Sequence, residues 1–232
     1  SKKMSRTAAD GLALIHEDKN IISVIEINSE TDFVAKNKDF ISFCKEISDI
    51  NFNNKGDLEK IQSSNMKNNI PVKDNLVDLI SKIGEKITIR RAKFFDNKNG
   101  SNFHYVHNAV EKNIGKIISV VKLSNNTKEM NQEIGIKLAM HIAASNPLSI
   151  DKNDLDKQIL DKELEIIKAE LSNSGKKGDM IEKISIGKLN KFISDNTLLN
   201  QIWIMDPKKK VSDILKSIKV LSFIRYKVGE GV

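Results

Sequence analysis

The sequence predicts an α+β fold: two related subdomains of antiparallel sheet plus helices, with an inserted antiparallel coiled-coil helical hairpin. Three observations carry this. Ile21-Ile22-Ser23-Val24-Ile25 and Ile117-Ile118-Ser119-Val120-Val121 match closely at an offset of 96 residues. Each unit then runs through a helical apolar pattern and closes on a strand-like segment, Ile89-Arg90-Arg91 in the first and Ile224-Arg225-Tyr226 in the second. Finally, Leu160, Leu164, Ile167 and Leu171 step by four, three and four, the seam of a coiled coil. The repeat period is far longer than that of a solenoid, so it marks two subdomains and not an array.

In chain order, Lys3 to Ala9 is helix-permissive and ends near Gly11. Leu12–Ile15 and Ile21–Ile27 flank the polar Glu17-Asp18-Lys19-Asn20, which reads as a hairpin. After the cap-rich Ser29-Glu30-Thr31-Asp32, the spacing of Phe33, Val34, Phe40, Ile41, Cys44 and Ile47 predicts an amphipathic helix. A short helix is expected around Leu58–Ile61, and another over Leu76–Ile83 with Gly84 as its terminator. Ile87 to Ala92 alternates like a strand, Asn97-Lys98-Asn99-Gly100 is a turn, and a second hairpin starts over Phe103–Val110. Carrying the same offset onward pairs Thr31 with Thr127, and Phe40, Phe43, Cys44 and Ile47 with Ile136, Ala139, Met140 and Ala143.

The second unit carries the insertion. Its first helix spans the Leu155–Leu171 region, Ser172-Asn173-Ser174-Gly175 breaks it, and Met180–Ile193 is helical again. About two heptads per arm suggest a hairpin that projects and is steadied by a partner; the plainer alternative is one folded back on its own core. The expected division is therefore a first core subdomain over 1–98, with 1–10 the remnant of a linker helix. A second core subdomain comprises 99–150 and 197–232, and the hairpin spans 151–196.

The 232 residues are 39% hydrophobic and 30% charged, ordinary for a soluble globular protein. No apolar run approaches the roughly 18 to 20 residues that cross a bilayer, and Ser1-Lys2-Lys3 does not open a secretory signal. The chain starts without Met, so residues upstream are expected. The single cysteine, Cys44, cannot form an internal disulfide and points to a reducing, cytoplasmic setting. The net charge of +7 raises a nucleic-acid reading. Against it, the cations are nearly all lysine and lie scattered among 31 acids, which describes a solvated surface better than a base-reading one.

Catalytic chemistry finds no foothold. His104 and His107 lie three apart on a strand and face opposite ways, and no other pair among His16 and His141 has metal-ligand spacing. No glycine run cradles a phosphate, and Gly229-Glu230-Gly231 has no following helix to receive one. No serine lies in a nucleophile motif. Glu26 and Glu30 read as ordinary surface carboxylates. No enzyme and no cofactor is indicated.

Thr31-Asp32-Phe33-Val34-Ala35-Lys36-Asn37, entered from Val24–Asn28, resembles the signature of the elongation factor Ts family. So do Arg6–Gly11, Ile83–Arg91, Met140–Pro147 and Phe223–Gly231, in family order over nearly the whole chain. Gln201-Ile202-Trp203-Ile204 departs from the family's usual Gln-Pro-Phe-Val, which leaves the turn there open. The family usually begins with a small three-helix, ubiquitin-associated-like domain, and this sequence opens after it. The resemblance implies two similar core subdomains with a coiled-coil hairpin inserted in the second. It also implies a guanine nucleotide exchange factor that binds elongation factor Tu·GDP and promotes GDP release by disturbing the Mg²⁺ and phosphate site. Asp32 and Phe33 would form the wedge, and Ile114, Gly115 and His141 would touch the same GTPase from the second subdomain. The hairpin would serve self-association or reach a distal domain of the GTPase. For Phe33 the alternative is a residue folded under its own helix; for His141 it is a satisfied core or cap histidine. A lysine-rich RNA- or ribosome-associated protein without exchange activity stays open beside this reading, as does an assembly protein built on the hairpin. Neither membrane nor direct nucleic-acid binding is expected of an exchange factor.

Overall fold

The computed structural model describes residues 6–125 and 131–232. Thr127 and the first part of the Lys3–Ala9 segment lie outside these residues. Arg6 to Ala9, expected to be helical, are not. The reason is close packing: the Ala9 carbonyl sits only 1.9 Å from where a Cβ on Gly229 would be, so this segment is pressed against the C-terminal turn.

Strand β1 (Asp10–Asp18) and strand β2 (Ile21–Ser29) pair antiparallel from end to end. Lys19 and Asn20 at the turn both have positive φ, +49° and +62°, the twist a two-residue hairpin requires. The helix expected from Phe33 to Ile47 is in fact two. Helix α1 (Asp32–Ala35) stops, and the Asn37 side chain accepts from the backbone N–H groups of Asp39 and Phe40 to begin α2 (Lys38–Asn53). Helix α3 (Leu58–Ser63) and helix α4 (Val72–Ile83) come next. Gly84 ends α4 in the left-handed region, φ +82°, and strand β3 (Ile87–Phe95) returns along β2.

The second unit repeats the plan. Strand β4 (Ser101–His107) and a two-residue strand β5 (Ile114–Gly115) lead to β6 (Ile117–Leu123), then to helix α5 (Gln132–Ser145). Helices α6 (Lys157–Asn173) and α7 (Gly178–Asn196) pack on one another, with Ile167, Leu171, Ser185 and Ile193 buried and Lys168 Nζ 3.1 Å from Glu182 Oε1. A short helix α8 (Val211–Leu215) precedes the closing strand β7 (Val220–Lys227).

One sheet has the order β3-β2-β1-β5 and the other β4-β6-β7. The matched segments β2 and β6 are thus the middle strands of equivalent triplets, with α2 and α5 packed on them. Beyond the strands the repeat holds only in part. The buried residues of α5 are Gly135, Leu138, Ala139, His141, Ile142 and Ala143, so Ala139 and Ala143 are buried as the offset expects, whereas Ile136 is exposed and Met140 half-buried. At Gly135 a Cβ would come within 2.3 Å of the Phe103 ring, so the helix packs directly on this aromatic of β4.

Both faces of the strands are covered, which explains why β2 and β6 read as near-continuous apolar runs. Leu12, Leu14, Ile25 and Ile27 face α2, whereas Ala13, Ile15, Ile22 and Val24 meet Ile118, Val120 and Tyr226 of the other sheet. Val121 and Leu123 turn the opposite way, toward Leu138, Ile142 and Trp203. The layers run helix, sheet, sheet, helix. This stacking places the start of α1 beside the strand that the second unit lends to the first sheet.

Candidate functional site

The site is built on the turn between β2 and α1. Thr31 occupies the N-cap position in extended geometry, yet its side chain makes no bond to the helix it precedes. Its hydroxyl donates instead to Glu85 Oε1 at 2.8 Å, and its backbone N–H donates to Glu85 Oε2 at 3.1 Å. Glu30 returns the tie, its Oε1 accepting the Lys86 N–H at 2.7 Å. The loop entering α1 is thereby fastened to the loop entering β3. Asp32 is held from two directions: Lys36, one helical turn on, lies 3.0 Å from Oδ2, and Lys116, from the second unit, lies 2.9 Å from Oδ1. The hydrogen bond from Lys116 first, then that from Lys36, hold the Asp32 carboxyl below the ordinary carboxylate range.

Between these ties stands Phe33. Val34 and Ala35 are buried against the first core, which turns the preceding ring outward, and Phe33 is 84% exposed. The alternative of a ring folded under its own helix is overturned. The ring is thus held open to solvent on a segment fastened at both ends.

The other expected contacts are placed differently. Ile114 is buried in the first unit's core, and a Cβ on the buried Gly115 would lie 2.6 Å from Val106. Neither presents a side chain to solvent; what they do is bring Lys116 to Asp32. His141 is wholly buried and lies in the core of the second unit. Its Nε2 donates to Gln201 Oε1 at 2.9 Å, its Nδ1 accepts the Ile204 N–H at 3.3 Å, and its ring stacks on Trp203 with centroids 5.3 Å apart. Gln201 Nε2 donates to the Ser145 and Asp195 carbonyls, so its oxygen must face the histidine, and the imidazole is neutral with the proton on Nε2. Burial pushes the His141 pKa down, more than the bond to Gln201 raises it. His141 is the satisfied core histidine of the two readings. It also settles the Gln201–Ile204 turn, which Trp203 closes through its backbone N–H to the Lys209 carbonyl at 2.8 Å.

Glu26 corrects the sequence reading outright. It is completely buried, with Arg90 Nη1 at 3.0 Å, Arg91 Nε at 2.6 Å, Asn28 Nδ2 at 2.8 Å and the Gly229 N–H at 3.0 Å. A β-bulge sets two residues, Arg90 and Arg91, against this one carboxylate, which regular alternation would not allow. Burial raises its pKa, but the bonds from Gly229, Asn28 and Arg91 outweigh that and hold it below its ordinary value. The C-terminal Gly229-Glu230-Gly231 is therefore a latch on the first sheet. The signal available in sequence was a lone acid inside an apolar strand, with an Arg-Arg pair on the strand expected beside it.

Among the described residues no group of three or more His, Cys, Asp and Glu could hold a metal ion, and no helix is long and apolar enough to cross a membrane. Burial pushes the Cys44 thiol far up, which keeps it protonated.

The family model described as Elongation factor TS matches residues 30–230. Among similar proteins, Elongation factor Ts of Rickettsia prowazekii (strain Madrid E) is 36% identical over 241 residues, covering 100% of this chain and 78% of the relative. That of Rickettsia bellii (strain OSU 85-389) is 35% identical over 242 residues, and that of Maricaulis maris (strain MCS10) 34% over 244, with the same coverage of 100% and 78%.

Proposed function

The chain belongs to the elongation factor Ts family, and from that premise we propose that it binds elongation factor Tu·GDP and promotes GDP release, allowing GTP to bind. An exchange factor favours a form of the GTPase that holds nucleotide poorly, and by reciprocity bound nucleotide weakens the factor's own binding by the same ratio. No covalent step is needed, so the chain acts as a binding protein and not an enzyme.

The observation that carries this reading is Phe33, 84% exposed on a loop tied down on both sides. Driven between elements of the GTPase beside its Mg²⁺ and phosphate site, the ring would bury about 150 Å² or more and stabilise the opened state by roughly 1.5 to 3 kcal/mol. Asp32 beside it supplies a carboxylate that can exchange its lysines for donors on the partner. Lys116, carried by Ile114–Gly115, and the Trp203–Ile204 turn, held by His141, are the second subdomain's contributions. We read α6 and α7 as an antiparallel coiled-coil hairpin, on the heptad spacing of Leu160, Leu164, Ile167 and Leu171 in α6 and the packing of α7 on it, serving self-association or a contact with a distal domain of the GTPase. The setting is cytoplasmic.

The test is release of a fluorescent GDP analogue from elongation factor Tu, with the parent chain and with Phe33→Ala. Strong acceleration by the parent and its loss in the variant are expected. Acceleration untouched by the substitution would move the wedge elsewhere.

A further inference from the structure

We propose that Glu85 is the residue that positions Phe33 for insertion, acting through Thr31. This inference rests on the exchange reading above. Phe33 is 84% exposed, so packing on its own protein does little to hold the ring in place. Its direction is set by the backbone at the start of α1, and α1 has only four residues, too few to be stable by itself.

Thr31 at an N-cap would ordinarily turn its oxygen onto the helix it begins. Here it does not, and both its donors, the hydroxyl and the backbone N–H, close on one carboxylate 54 residues away. Bonds to a charged acceptor are among the stronger hydrogen bonds, and two from one residue to one carboxylate restrict rotation as well as distance. Glu30 to the Lys86 N–H completes a reciprocal pair, so the two loops cannot slide past each other without breaking both. A local cap would stabilise α1 but leave it free to swing. The tie to Glu85 refers α1 to the loop between the end of α4 and the beginning of β3, and β3 is built into the sheet. A wedge that transmits binding energy into opening a partner must not yield itself, since freedom at the tip is lost as entropy on insertion.

Two measurements test this. Amide hydrogen exchange in the free protein reads the Thr31 N–H directly, and GDP release at saturating factor reads the wedge. Glu85→Ala should expose the Thr31 amide and lower the maximal release rate by about tenfold. Glu85→Gln keeps one oxygen to accept that N–H and an amide group to meet the Thr31 hydroxyl, and should leave both the protection and the rate close to the parent's. A variant that merely unfolds in part behaves as a smaller amount of active factor, and adding more restores the maximal rate; misplacement of Phe33 cannot be overcome that way. Thr31→Val, which removes the hydroxyl but keeps the branched shape, gives an independent route to the same loss, and combining it with Glu85→Ala should cost less than the sum. An exposed Thr31 amide with an undiminished maximal rate would overturn the role of Glu85 while leaving the exchange function standing. A parent chain that releases no GDP would sink the exchange reading, and this inference with it.

Discussion

Lys116 Nζ lies 2.9 Å from Asp32 Oδ1 and donates to the Gly11 carbonyl at 2.7 Å, so one side chain of the second unit reaches across the first sheet's edge to the base of Phe33. The strand that delivers it, Ile114–Gly115, pairs with β1 and belongs to the first sheet by hydrogen bonding although it comes after β4 in the chain. The exposed ring therefore takes its position from both units.

Lys116→Met should separate these roles. A partly exposed ion pair contributes no more than about 1 kcal/mol, so denaturant midpoints should move little. GDP release by elongation factor Tu should fall severalfold, because Asp32 keeps only Lys36, which sits on the same small helix. A large stability loss with unchanged release would show that the pair serves folding alone.

Glu26→Gln should cost about 3 kcal/mol, because a buried acceptor of two guanidiniums loses its charge. Urea unfolding would show it as a lower midpoint at constant slope. The same site predicts acid sensitivity. Its folded pKa lies below the ordinary 4.5, so its contribution is complete above that value and is lost as pH falls through the lower folded value. Above pH 5 the parent's stability should not respond to this group.

His141 titrates in a different window. Burial depresses its pKa below 6.5, so the unfolded chain takes up a proton first. The stability due to the neutral ring is complete above 6.5 and declines as pH falls from there toward the lower folded value. Trp203, the single tryptophan, stacks on the ring and reports the change by fluorescence. His141→Phe should remove this pH dependence and cost about 2 kcal/mol, by leaving Gln201 Oε1 and the Ile204 N–H unpaired. A pH profile identical in parent and variant would refute the assignment.

Gly135→Ala tests the close packing of α5 on Phe103. In a helix interior this exchange ordinarily stabilises by up to about 1 kcal/mol. Here the added Cβ meets the Phe103 ring at 2.3 Å, and a loss of roughly 1 to 3 kcal/mol is expected. Phe103→Leu in the same chain should recover part of it. Thermal unfolding decides the sign.

The elements were legible where local chemistry alone forms them. The hairpin of β1 and β2, α4 with its Gly84 terminator, and the matched strands β2 and β6 arise from apolar runs and turn residues within a few positions of each other. Of the site, Asp32 and Phe33, with an outward ring, were legible through family resemblance, and the ties that hold them were not. The break at Asn37 was missed because Phe33 and Phe40 are spaced like one helix, while a single side-chain cap divides them. For His141 the resemblance implies a partner contact and the alternative is a satisfied core histidine; its bond to Gln201, 60 residues away, gives it the core place.

The order of residues alone is therefore enough for the family, the α+β class, the duplication and the strands, because periodicity and caps act over one or two turns of chain. Every contact that gives Phe33 its place required the assembled molecule. Glu85 meets Thr31, Lys116 meets Asp32, and Gly229 meets Glu26 only after the sheets stack. Charged side chains carry no mark of their partner in sequence, since pairing is set by distances of about 3 Å across elements that the chain connects only through the whole fold.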